Sequence, residues 1–220
     1  CSDFKTDLVG GDTSASVNGL TISVTATGDV DKDKIAYRSG AGANDLICLS
    51  GDLGAAYMGL HLLEREKRAC GGQPDPKPKF EGHEYILGRQ LKPEARTDII
   101  ERLAEAGIVP TSMIDITDGL ASETLHLCKS SGCGARIYLE RLPIARQTHD
   151  MAEELHADPV VAALNGGQDY ELLFTVPLSK QQEIFALGVD VIGHVTAAGT
   201  GAMLVTPDGS EIALKAPGWK

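Results

Sequence analysis

Basic side chains are scarce in this 220-residue sequence, with 20 lysines and arginines against 31 acids and a formal net charge of −11. That deficit excludes an electrostatic footprint for nucleic acid or an anionic membrane surface. No apolar run reaches the length needed to span a bilayer, and no signal-sequence pattern is visible. Five cysteines, an odd number without short paired spacing, exclude a disulfide framework and a zinc site of the usual kind. Cys48 and Cys128 lie in apolar contexts and read as small core residues, as expected in a reducing, cytoplasmic compartment. The six histidines lack ligand spacing. No G-x-x-x-x-G-K-[ST] occurs, which excludes a Walker-type nucleotide site, and the protein-kinase catalytic signature is also missing.

What remains, with 42% hydrophobic and 23% charged residues, is ordinary globular composition in a chain long enough for a substantial core. The most informative stretch is Met113-Ile-Asp-Ile-Thr-Asp-Gly-Leu120. It joins a predicted buried strand, Ser112–Ile116, to an amphipathic helix beginning near Gly119. Asp115 falls at the carboxyl end of the strand, where open α/β sheets place their ligands. Asp118 falls at the helix start, where free N–H groups attract negative charge. Thr117 puts a hydroxyl between them. Magnesium favours this kind of oxygen set, one or two carboxylates plus substrate phosphates. The same residues also read as a helix cap and an exposed turn acid.

In chain order, Gly10-Gly11-Asp12-Thr13 reads as a tight turn, with Asp12 either a metal or phosphate-side ligand or simply part of a hairpin. Leu20–Thr25 alternates apolar and polar side chains at the period of a half-buried strand. A polar connection from Val30 to Asn44 carries Arg38, whose guanidinium can fork onto phosphate oxygens or merely face solvent. Strand Leu46–Leu49, the turn Ser50-Gly-Asp-Leu-Gly54 and a helix from Ala55 to about Glu66 form the arrangement that offers backbone N–H groups to anions, and equally any tight strand-to-helix loop. Residues 71–78 are a glycine- and proline-rich loop.

A helix is predicted over Glu94–Ala106. The helix after Gly119 sets Leu120, Ala121, Thr124, Leu125 and Cys128 on one face and stops at Gly132. Ala135–Leu139 is a strand, and helices follow over His149–His156 and Pro159–Leu164. Asn165-Gly-Gly-Gln-Asp-Tyr-Glu171 then makes a glycine turn into strand Leu172–Val176, with Gln168, Asp169 and Glu171 unusually polar for that position. Ser179-Lys-Gln-Gln182 reads as a capping box opening a helix to about Leu187. Strand Val189–Val195 and a hairpin, Ala202–Thr206 with Glu211–Leu214 turned at Pro207-Asp-Gly-Ser210, complete an α/β (α+β layered) chain.

Taken together, Gly10-Gly-Asp-Thr13, Arg38-Ser-Gly-Ala41, Ser50-Gly-Asp-Leu-Gly54, Asp115-Ile-Thr-Asp-Gly-Leu120, Asn165-Gly-Gly-Gln-Asp-Tyr-Glu-Leu172 and Pro217-Gly-Trp219 resemble the thiamine-monophosphate kinase family in order and spacing. The wider superfamily includes aminoimidazole ribonucleotide synthetase. The resemblance implies the carboxyl-terminal α/β domain of that fold over residues 31–220, preceded in residues 1–30 by the tail of an amino-terminal ATP-binding domain whose bulk lies before Cys1. It implies ATP binding by Gly11, Asp12, Arg38 and Thr117, magnesium held by Asp12, Asp115 and Asp118, and thiamine monophosphate touched by Gln168 and Trp219. Thr117 stands where that family usually has serine, and Gln168 where it usually has glutamate, which removes a negative charge facing the cationic thiamine. No acid–base residue is implied. The expected reaction is direct transfer of the γ-phosphoryl group of ATP to thiamine monophosphate, in a homodimer. The 220 residues alone are expected to be inactive. The alternatives are a superfamily member with another small-molecule acceptor, or a silent binding module.

Overall fold

A computed structural model describes residues 1–17, 19–72 and 77–216. The chain divides into two compact units, Cys1–Ile35 and Ala36–Lys220. In the first unit a single 3-10 turn, Ser2–Phe4, is the sole helical or strand element among the described residues. The strand expected over Leu20–Thr25 does not form, nor does a hydrogen-bonded turn at residues 10–13. Leu20, Ile22 and Val24 are exposed. Alternation makes a segment able to be a strand, but ladder bonds from a second strand make it one, and this segment forms no ladder among the described residues.

Among the described residues the second unit is built on seven strands: β1 (Leu46–Leu49), β2 (Ser112–Asp115), β3 (Gly134–Tyr138), β4 (Leu172–Val176), β5 (Asp190–Thr196), β6 (Ala202–Val205) and β7 (Glu211–Ala213). They pair in the order β2-β4-β1-β5-β3-β6-β7, antiparallel except for β3 and β6. Seven α-helices accompany them among the described residues: α1 (Ala55–Cys70), α2 (Glu84–Leu91), α3 (Thr97–Glu105), α4 (Leu120–Ser131), α5 (Arg146–Glu154), α6 (Pro159–Asn165) and α7 (Gln181–Ala186). None is long and apolar enough to cross a membrane among the described residues.

Successive strand side chains point to opposite faces, and each face has its own core. Ile47 and Leu49 of β1, Ile114 of β2 and Leu173 of β4 pack with Leu120 and Leu127 of α4 on one side. Leu46, Cys48, Phe174 and Val176 pack with Ile99 and Leu103 of α3 and Ile184 of α7 on the other. A third cluster joins Met58 and Leu62 of α1 to Ile86 of α2 and Met151 of α5.

Several expectations shift. α1 runs four residues beyond Glu66, and α3 begins at Thr97 rather than Glu94. The capping box at Ser179 is not made, because residues 178–180 form a 3-10 turn and Lys180 becomes the N-cap without a side-chain bond. Helix α2, absent from the sequence reading, packs along α1, where the backbone of Ile86 lies against Gly59. The antiparallel register matters most for the site. β4 opposes both neighbours, with Leu172 opposite Asp115 and Leu173 opposite Leu49. The loops leaving β1 and β2 and the loop entering β4 therefore meet at one end of the sheet.

Candidate functional site

Backbone hydrogen bonds weave two of these loops into a single structure. The Ile116 N–H donates to the Glu171 carbonyl (2.8 Å), the Tyr170 N–H to the Ile116 carbonyl (2.9 Å), and the Gln168 N–H to the Thr117 carbonyl (2.8 Å). Glycine is needed where they cross. Gly119 adopts φ 112° and ψ 155°, a conformation essentially reserved for glycine, and a Cβ there would stand 2.6 Å from the Leu164 carbonyl oxygen. A Cβ on Gly167 would stand 2.4 Å from the Thr117 oxygen. Asp115 and Asp118 are exposed at this end, while Ile116 and Gly119 between and beside them are buried. The Thr117 hydroxyl donates to Asp115 Oδ2 (2.7 Å).

Helix α4 starts at this junction, and its first turn brings in a residue the sequence reading missed. Glu123 is 3% exposed. Its Oε1 accepts the Asp118 backbone N–H (3.2 Å), and its Oε2 is buried with no hydrogen-bond partner among the described residues. Burial pushes the Glu123 carboxyl up to about 7, the nearby charges of Asp118 and Asp115 adding to the rise against the lowering effect of the Asp118 amide. A single acid fixed in the first turn, five residues after Asp118, was the available signal.

The loop that carries Gln168 alternates outward and inward side chains. Gln168 and Tyr170 are half-buried, and both have left-handed backbone, φ 62° and 53°. Tyr170 donates its hydroxyl to Gln168 Oε1 (2.7 Å), and Gln168 Nε2 donates to the Thr117 carbonyl (3.4 Å). Asp169 and Glu171 point inward and are buried. Asp169 accepts the N–H groups of Gly54 (3.0 Å) and Ala56 (3.4 Å) at the start of α1. The anion at that helix terminus is thus the protein's own carboxylate, so of the two readings of the Ser50–Gly54 turn the structure favours the tight strand-to-helix loop. Desolvation raises the Asp169 carboxyl to about 7, against the lowering effect of the two amides and of Arg89.

Arg38 is exposed and lies in a segment held beside edge strand β2, where the Tyr37 carbonyl accepts the Met113 N–H (2.8 Å). Asp12 and Gly11 belong to the first unit, where both are exposed. The structure thus brings Asp115, Thr117, Asp118 and Gln168 together at one sheet end. Trp219 lies outside the described residues.

The donor set fits magnesium, which keeps several waters and takes one or two protein carboxylates beside substrate phosphates. Asp115 and Asp118 supply two exposed carboxylates on one hydrogen-bonded loop. Among the described residues no group of three or more acidic, histidine or cysteine side chains could enclose a metal.

An α/β domain that gathers acidic and glycine-rich loops at one end of a mixed sheet is the class defined by this geometry. Residues 42–206 match the family model described as AIR synthase related protein, C-terminal domain, and the chain belongs to that family. Among curated proteins it is 32% identical to a thiamine-monophosphate kinase of Aquifex aeolicus (strain VF5), over 100% of this chain and 64% of that protein. It is 34% identical to one of Escherichia coli (strain K12), over 99% and 63%. The solved complex of AaThiL with AMPPCP and TMP is similar at 32% identity and TM-score 0.66, covering 84% of this chain and 53% of that one. The thiamine-monophosphate kinase structure from Stenotrophomonas maltophilia K279a has TM-score 0.67 at 26% identity, covering 83% and 56%. The chain therefore spans somewhat less than two thirds of the length of these relatives.

Proposed function

We propose that this chain is part of an enzyme that transfers the γ-phosphoryl group of ATP to the phosphate of thiamine monophosphate, giving thiamine diphosphate. The observation that carries the reading is the joined pair of loops, which sets Asp115 and Asp118 beside Gln168 at one sheet end. The similarity to thiamine-monophosphate kinases, one of them solved with AMPPCP and TMP, supports both substrates.

Asp115 and Asp118 would hold magnesium, and the family resemblance assigns Asp12 a magnesium-ligand role as well. When bound, the ion supplies charge neutralisation between two phosphate groups that otherwise repel. Thr117 orients Asp115 through its hydroxyl, and Glu123 fixes the Asp118 backbone. Gly11, Arg38 and Thr117 would bind ATP, Arg38 as a bidentate phosphate donor. Gln168, held by Tyr170, would meet the thiamine moiety, with Trp219 suited to stack on its cationic ring. The acceptor phosphate is already ionised, so these residues need only position and hold the two anions, with no protein base. Residues 1–30 as the tail of an ATP-binding domain, a homodimer and a cytoplasmic location belong to the same proposal.

The test is product identification with γ-labelled ATP and thiamine monophosphate, using the natural polypeptide that carries this chain. Label recovered in thiamine diphosphate is expected. Label transferred only to a different small-molecule acceptor would overturn the reading in favour of another member of the superfamily.

A further inference from the structure

Beneath the Gln168 loop lies a buried ionic cluster with no part in the chemistry just described. Glu171, 1% exposed, ends the loop. Its Oε1 accepts from Arg89 Nη1 of α2 (2.8 Å), and its Oε2 is bonded by Arg96, just ahead of α3, and by the Ser50 hydroxyl. Ser50 Oγ in turn accepts the Leu172 N–H (2.8 Å). Arg89 reaches further, its Nη2 donating to the carbonyls of Asp52 (2.9 Å) and Asp169 (3.4 Å). Tyr85, one helical turn before Arg89, donates its hydroxyl to Asp52 Oδ2 (2.6 Å). Gly51 passes so close that a Cβ there would lie 2.6 Å from Glu171 Oε1 and 2.7 Å from Arg96 Nη1.

We propose that Arg89 and Arg96 are positioning residues for the acceptor-binding loop: by gripping Glu171 from two separate elements, with Arg89 also holding the Asp169 carbonyl, they keep Gln168 and Tyr170 in their left-handed conformations and so set affinity for the acceptor. The inference rests on the reading above that Gln168 meets the acceptor.

Three observations carry it. Left-handed backbone at two non-glycine residues is a strained arrangement that persists only where its surroundings over-determine it. The residues that alternate with them, Asp169 and Glu171, are the ones anchored, Asp169 to the start of α1 and Glu171 to the two arginines. A buried ion pair is a poor way to gain stability, since an apolar replacement of similar volume often serves as well. Its distinctive contribution is to fix one arrangement. Arginine is required because a single planar guanidinium spans a carboxylate and two carbonyls, which a lysine ammonium cannot reproduce.

The test uses the natural polypeptide with Arg89→Lys, and a triple Arg89→Met/Arg96→Met/Glu171→Met variant that replaces the three ions by apolar groups should the single change unfold the protein. Two quantities are read: hydrogen exchange of the Gln168 and Tyr170 amides, and steady-state kinetics with each substrate varied. The expected result is exchange faster by about tenfold at those two amides and an acceptor KM raised by about tenfold, with kcat and the KM for ATP within about threefold, the pattern of lost uniform binding. Unchanged exchange overturns the inference, as does a uniform loss of kcat with both KM values unmoved. Faster exchange with an unchanged acceptor KM overturns the link to affinity. If the unsubstituted enzyme fails to phosphorylate thiamine monophosphate while Arg89→Lys still speeds exchange, the functional reading fails and the grip on the loop stands.

Discussion

Replacing Gly119 by alanine tests how tightly the acidic loop is built, and its cost can be worked out against a control in the same helix. Gly119 precedes α4 with φ 112° and ψ 155°, and Gly132 follows it with φ 66° and ψ 34°. Alanine at Gly132 enters the left-handed region, which costs about 1–2 kcal/mol, and its Cβ meets nothing within 4 Å. Alanine at Gly119 enters a region populated almost only by glycine, with strain of about 1–3 kcal/mol. Its Cβ would also lie 2.6 Å from the Leu164 oxygen and 2.9 Å from the Asn165 Cα, both backbone atoms that cannot swing away. Forcing that shift adds about 1–3 kcal/mol, as in an overpacked core. Gly119→Ala should therefore cost about 2–6 kcal/mol and Gly132→Ala about 1–2 kcal/mol, from a total of roughly 5–15 kcal/mol. Denaturant unfolding of both variants, compared at constant slope, measures the difference. Equal losses would refute the claim that the two loops cross in contact at Gly119.

Further predictions follow from buried acids and from Gln168. Asp169 and Glu123 both titrate near 7 in the folded protein, above their ordinary values of 3.8 and 4.5. The folded state then holds protons that the unfolded state has released, so stability should fall as pH rises from about 4 to about 7. His194, lowered below 6.5 chiefly by burial, acts with the opposite sign over part of that window. Thermal unfolding of the metal-free protein should show the net decline, and Asp169→Asn should flatten it; an unaltered slope would contradict the origin assigned here. Gln168→Glu keeps an acceptor for the Tyr170 hydroxyl and adds a charge suited to a cationic ring, so the thiamine monophosphate KM should fall by about threefold to tenfold, as one charge-assisted contact allows. A rise in that KM would argue that the neutral amide is the selected group.

The parts of this fold that were legible in the sequence are those set by local pattern. The Ser112–Ile116 strand ends at Asp115, and α4 begins one residue after Gly119, because an apolar run, a glycine and an amphipathic repeat follow in immediate succession. The hairpin at Pro207–Ser210 is equally local, closed by the Thr206 N–H on the Ser210 carbonyl. Illegible were the features that depend on distant partners. Arg96 and Glu171 meet across 75 positions and Arg89 and Glu171 across 82, and nothing in either neighbourhood names the other. Helix α2 escaped notice because Ile86 is its only fully buried residue, which leaves no apolar stripe to read. Asp169 looked like part of a polar turn, whereas it caps α1 from a loop 113 positions away. Leu20–Thr25 errs the other way, its alternation promising a strand that has no ladder among the described residues.

The central claim is that Asp115 and Asp118 hold cation-bound phosphate at the end of this sheet. Thiamine diphosphate formation by the natural polypeptide, with Asp115→Asn and Asp118→Asn assayed separately at saturating magnesium and ATP, tests it most directly. Each change preserves shape while removing charge, and each should lower the rate by at least about a hundredfold, the scale of losing an electrostatic contact to the transferred group. Full activity in both variants, with both proteins folded, would contradict the account.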